Sequence, residues 1–119
     1  AMGCYEISLG DTLGRASSDQ VDRMFNSVLD EAHESQLAGH FHNTSGNALD
    51  NIGVSVERGI RVFDSAVGGL GGCPFAPGAP GNVATEDVLD YVESMGFEAN
   101  LNKEIINKAG KLAKEIRNV

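Results

Sequence analysis

His40-Phe41-His42 carries the densest chemistry in this sequence. On a strand, alternate side chains share one face, so both imidazoles point the same way. Two neutral imidazoles side by side form half of a divalent-metal site. The same tripeptide also suits one packed and one solvated histidine, and the residues alone leave both readings open. Cys73 lies in Gly68-Gly69-Leu70-Gly71-Gly72-Cys73-Pro74, where glycines flank a thiol. A tuned thiol serves as a general acid or base, whereas the plainer reading is a linker with an incidental cysteine. Asn82, after Gly81, offers an amide oxygen to a hard cation, or else caps the helix that follows. Asp11 closes the first apolar stretch after Gly10 and suits a base, a ligand or a hydrogen-bond acceptor, or simply a turn. Asp64 sits in an apolar stretch and needs a partner if buried. His33 reads as solvated and Cys4 as core.

These residues need elements to hold them. Residues 4–9 read as a short strand, and Ser17, Ser18 and Asp19 offer an N-cap. Val21, Met24, Phe25, Val28, Leu29 and Ala32 then follow at helical spacing, predicting a helix over 19–35. Residues 37–42 predict a second strand. Ala48, Leu49, Ile52 and Val56 predict a second helix, with Gly59 suited to its end. Residues 60–67, rich in β-branched and aromatic side chains, predict a third strand. A glycine- and proline-rich loop over 68–82 follows, then a helix opened by Thr85-Glu86-Asp87 and a last helix from about Asn102.

The resulting β-α-β-α-β-α-α order implies an α/β fold with parallel strands and right-handed crossovers, in one domain over residues 1–119. Three strands cannot close a barrel, and an eight-fold β/α barrel takes about 250 residues. The pattern therefore reads as part of something larger, completed by another chain or missing its front, and self-association into a homodimer or larger assembly is expected.

Composition narrows the partners. The 119 residues carry a formal net charge of -8, the wrong sign for a nucleic-acid binder. The basic stretch of Lys103, Lys108, Lys111, Lys114 and Arg117 reads as the solvated face of the last helix. No apolar run approaches the ~18 residues of a membrane span, so no membrane partner is expected. Two cysteines far apart in sequence do not suggest a disulfide framework, and the expected setting is a reducing cytoplasm.

Four segments together resemble one family. Gly3-Cys4-Tyr5-Glu6-Ile7-Ser8-Leu9-Gly10-Asp11-Thr12 resembles the sixth strand and following loop of 3-hydroxy-3-methylglutaryl-CoA lyases. His40-Phe41-His42-Asn43-Thr44 is similar to their H-x-H-D-T segment. Val67 to Ala76 resembles their catalytic cysteine loop, and Gly81-Asn82-Val83-Ala84-Thr85-Glu86-Asp87 the segment supplying an asparagine ligand. The resemblance covers nearly the whole chain. It implies three parallel β/α units from the C-terminal part of a TIM (β/α)8 barrel, plus a terminal helix. It also implies the chemistry of the DRE-TIM metallolyases, which split 3-hydroxy-3-methylglutaryl-CoA into acetyl-CoA and acetoacetate with Mg²⁺ or Mn²⁺. On this pattern His40, His42 and Asn82 would ligate the metal, Cys73 would protonate the acetyl-CoA enolate, and Asp11 and His40 would move protons. The substrate would be an acyl-CoA. The family's first-strand arginine and aspartate and its second-strand glutamate have no counterpart here, and Asn43 stands where the family has aspartate. Two readings follow: a portion of a lyase site, inactive alone, or a non-catalytic derivative that binds metal or acyl-CoA or serves in assembly.

Overall fold

A computed structural model describes residues 2–72 and 80–117, so Cys73 lies outside the described residues. Strands β1 (Ile7–Asp11), β2 (Leu37–Phe41) and β3 (Phe63–Asp64) form one parallel sheet in the order β1-β2-β3. Helices α1 (Ser18–Val28), α2 (Ala48–Glu57), α3 (Thr85–Ser94) and α4 (Lys103–Arg117) complete the expected alternation. None of them is long and apolar enough to cross a membrane.

The sheet has one dry face. Register places Leu9 opposite Gly39 and Gly39 opposite Phe63, and side chains on that face meet α1 and α2. The core there gathers Val21 and Phe25 of α1, Leu37 and Phe41 of β2, and Ala48 and Ile52 of α2, with Ile60 and Val83. Gly39 makes this packing fit. A Cβ there would stand 2.8 Å from the Phe41 ring and 3.0 Å from the Phe63 ring, so only glycine lets the two rings close over the strand.

Local sequence explains the helix starts. Ser17 and Gln20 form a reciprocal capping box at α1. Glu86 and Asp87 lie in the first turn of α3, as the sequence predicts. Beyond Arg58 at the end of α2, Gly59 takes φ +90°, a left-handed conformation that closes a helix with little strain in glycine. Arg58 itself grips Asp22 of α1 through Nε and Nη2, at 2.7 and 2.8 Å, and ties the two helices together.

Several boundaries differ from the sequence expectation. Helix α1 stops at Val28 rather than near residue 35. The amides of Glu31 and Ala32 turn back to the Val28 carbonyl, and Leu29 and Ala32 still reach the core from this turn. Strand β1 lies at Ile7–Asp11 rather than over 4–9, because its pairing with Leu37–Phe41 fixes where it begins. Strand β3 has two residues rather than eight, since its ladder runs only against Gly39 and His40 of β2. Cys4 is exposed, not core, because it precedes the first paired residue. His33 is exposed, as expected, but it also caps the 3-10 turn Glu34–Gln36 by accepting from the Ser35 amide.

Phe25 is fully buried at the centre of the α1 contact with the sheet. Phe25→Ala should lower unfolding free energy by about 3–5 kcal/mol, read by urea denaturation. A change under about 1 kcal/mol would contradict this account of the core.

Candidate functional site

The chemistry-bearing residues collect at the C-terminal end of the sheet, where β/α folds place their sites. Asp11 ends β1, and His42 follows the last residue of β2. The His42 amide donates to the Asp11 carbonyl at 3.3 Å, extending the β1–β2 ladder by one bond. Asn82 arrives from the far side of the glycine-rich loop through an antiparallel bridge to His42. The Asn43 amide donates to the Gly81 carbonyl at 2.9 Å, and the Val83 amide to the Phe41 carbonyl at 3.1 Å. These bonds bring Asp11, His42 and Asn82, widely separated in sequence, to one strand end.

His40 and His42 share the sheet face turned away from the helices, as alternation requires. Their rings lie 5.5 Å apart between centroids and are tilted by 30°. His42 is buried at 8% exposure, and its Nδ1 has no hydrogen-bond partner among the described residues. A buried ring nitrogen left unpaired is costly, and a bound cation would satisfy it. Burial lowers the His42 pKa from its ordinary value, and positive charge at His40 lowers it further, against an opposing pull from Asp11. The neutral ring, the form that binds metals, is therefore favoured.

Asn82 does not cap the following helix. Its amide nitrogen donates to the Leu70 carbonyl at 2.9 Å, which leaves the amide oxygen as the group suited to a cation. Asp11 behaves as a turn aspartate: its two carboxylate oxygens accept from the amides of Gly14 and Ala16, at 3.0 and 2.9 Å. Among the described residues no three His, Cys, Asp or Glu side chains converge on one cation position. The donors in hand for a metal are thus two imidazoles and an amide. A hard divalent cation would need further oxygen ligands.

Two residues do more than the sequence reading assigned to them. Asp64 stands in register with His40, and its Oδ2 lies 3.1 Å from His40 Nδ1. Its position in an apolar strand was the available signal. Glu86, read only as a favourable charge at a helix start, accepts the Gly68 amide at 2.9 Å and faces Lys114 of α4 at 3.9 Å. It thereby joins α3, α4 and the start of the glycine-rich loop. Beside this junction lies an open cleft of about 560 Å³ whose lining includes Asn43, Asn82, Lys114 and Arg117.

The lowered His42 pKa sets a sign for pH dependence. The folded state holds this proton less tightly than the unfolded chain, so the stabilisation is present above about pH 6.5 and fades as pH falls below it. In metal-free buffer, the urea midpoint should therefore fall less on acidification in His42→Gln than in the native chain. Parallel pH profiles would contradict the buried neutral ring.

Comparison with known proteins agrees with this arrangement. A family model described as HMGL-like matches residues 1–113. The human cytoplasmic 3-hydroxy-3-methylglutaryl-CoA lyase is 50% identical over 109 residues, covering 92% of this chain and 30% of its own length. A crystal structure of the HMG-CoA lyase from Brucella melitensis superposes with a TM-score of 0.96 at 53% identity, covering 98% of this chain and 41% of that one. An HMG-CoA lyase from Acinetobacter baumannii, solved with coenzyme A and 3-methylmalate, superposes with a TM-score of 0.82 at 43% identity, covering 89% of this chain and 35% of that one. The chain therefore spans less than half the length of these relatives. Three parallel β/α units, with two histidines and an asparagine gathered at the C-terminal end of their sheet, superpose on part of the fold of solved HMG-CoA lyases, and the chain belongs to the HMGL-like family.

Proposed function

We propose that this chain carries the metal-holding and proton-transfer portion of a 3-hydroxy-3-methylglutaryl-CoA lyase site. The observation that carries the reading is the buried, unpaired Nδ1 of His42 beside His40 and bridged to Asn82. His40, His42 and Asn82 would hold a divalent cation, Mg²⁺ or Mn²⁺. When bound, such a cation supplies Lewis-acid stabilisation of negative charge on substrate oxygens.

The chain's own residues would do the rest. Asp11 would take up the proton of the substrate's tertiary hydroxyl, and His40 would be the alternative acceptor when its Nε2 is not on the cation. Collapse of that oxygen to a ketone breaks the carbon–carbon bond, releases acetoacetate and leaves the electron pair on the acetyl-CoA enolate. Cys73 would then give its proton to that enolate carbon. Neutral His42, favoured by burial, would stay available as a ligand rather than compete for protons. The cleft beside Asn82, with Lys114 and Arg117 in its wall, suits an anionic acyl-CoA.

The family's arginine and its first-strand aspartate lie outside this sequence. An arginine placed to stabilise enolate charge is a large term in such chemistry, so the chain alone should bind without turning over. On this reading the molecule itself is a metal- and acyl-CoA-binding lyase portion. A purely structural assembly module is the second reading. The outer edges of β1 and β3 are unpaired among the described residues, and Ile7 and Val62 are exposed. Both features favour pairing with further copies, as a homodimer or larger. The separated cysteines and the cytoplasmic human relative favour the cytoplasm.

The test is acetoacetate release from 3-hydroxy-3-methylglutaryl-CoA with added Mg²⁺ or Mn²⁺, beside Cys73→Ala and His42→Ala, with Mn²⁺ binding measured in parallel. The expected result is no turnover above background, and Mn²⁺ binding weakened about ten-fold or more in His42→Ala. Equal Mn²⁺ binding by both chains would overturn the proposed site. Turnover lost in both variants would show that the missing groups are not needed. Sedimentation as a monodisperse monomer at high micromolar concentration would contradict self-association.

A further inference from the structure

We infer that Asp64 is a positioning residue for His40, fixing its tautomer and ring orientation from the neighbouring strand. The inference rests on the proposed role of His40 as a ligand and proton carrier. Asp64 and His40 are register partners on β3 and β2, on the face turned away from the helices. Asp64 Oδ2 lies 3.1 Å from His40 Nδ1 and also accepts the Ser8 hydroxyl at 2.9 Å. Ser8 belongs to β1, so the Asp64–Ser8 hydrogen bond spans the full width of β2. The residue it crosses is Ala38, the register partner of Ser8. Ala38 is fully buried although it lies on the face away from the helices.

The chemistry follows from which atoms can donate. An ionised carboxylate only accepts, so the His40 Nδ1–H is the donor to Asp64. In the neutral ring the lone pair is then on Nε2, the nitrogen turned away from the carboxylate. A histidine held in this way presents one defined nitrogen to a cation or a proton. The Ser8 hydroxyl holds the carboxylate in turn, so β1, β2 and β3 all contribute to one orientation. His42 has no such partner at its Nδ1, which distinguishes the two imidazoles.

The experiment compares the native chain with Asp64→Ala and Ser8→Ala. Histidine ¹⁵N chemical shifts are recorded in a metal-free sample at a pH where the rings are uncharged, and Mn²⁺ titrations follow. Asp64 is about half exposed, so its removal leaves the core intact. In the native chain His40 should show the Nδ1–H tautomer. In Asp64→Ala it should shift toward the Nε2–H form common in free imidazole side chains, and Mn²⁺ should bind about ten-fold or more weakly. Ser8→Ala, which keeps the acceptor, should retain the Nδ1–H form and most of the affinity. An unchanged His40 tautomer in Asp64→Ala would overturn the inference, as would an Nε2–H form in the native chain. A native chain with the Nδ1–H form that binds no Mn²⁺ would uphold positioning by Asp64 and overturn the metal reading instead.

Discussion

Strand β2 serves two masters, and the alternation of its side chains is the constraint on which both the core and the site depend. Leu37, Gly39 and Phe41 face α1 and α2, while Ala38, His40 and His42 face the other way. A slip of one residue in register would drive both imidazoles into the apolar core and turn Leu37 and Phe41 out of it. The strand cannot slip without large loss, because Phe41 is buried and Gly39 is the one position that admits the Phe41 and Phe63 rings. Packing on the dry face thus sets the chemistry on the other.

The bonds at the end of β2 extend this logic. Asp11 and Asn82 reach His42 through backbone pairing rather than through side chains. Their placement is therefore inherited from the sheet and does not depend on flexible rotamers. Glu86 anchors the glycine-rich loop to α3 and α4 from below. Within this frame His42 Nδ1 is buried without a partner, as are Thr44 Oγ1 and Asn51 Oδ1, and such a group costs about 1–3 kcal/mol when nothing satisfies it. A frame that keeps a costly nitrogen dry is consistent with a ligand arriving there.

Much of this was legible in the sequence because it is local. The capping box at Ser17, the helical spacing of Val21 and Phe25, the acids opening α3 and the shared face of His40 and His42 all follow from residues a few positions apart. Features that depend on pairing in space were not legible. The extent of β3 is set by its neighbour, not by its β-branched composition, and the same holds for the start of β1. The turn that ends α1 still buries Leu29 and Ala32, so apolar spacing alone could not mark the helix end. The Asp64–His40–Ser8 network joins three strands over 56 residues of sequence, beyond any periodic signal.

The central claim is that the strand-end imidazoles of this chain ligate a divalent cation. Electron spin-echo modulation of bound Mn²⁺, in protein carrying ¹⁵N-labelled histidine, reads directly coordinated imidazole nitrogen. The account predicts two coupled histidine nitrogens in the native chain and one after His42→Ala. Mn²⁺ with no histidine nitrogen in its coordination sphere would contradict it.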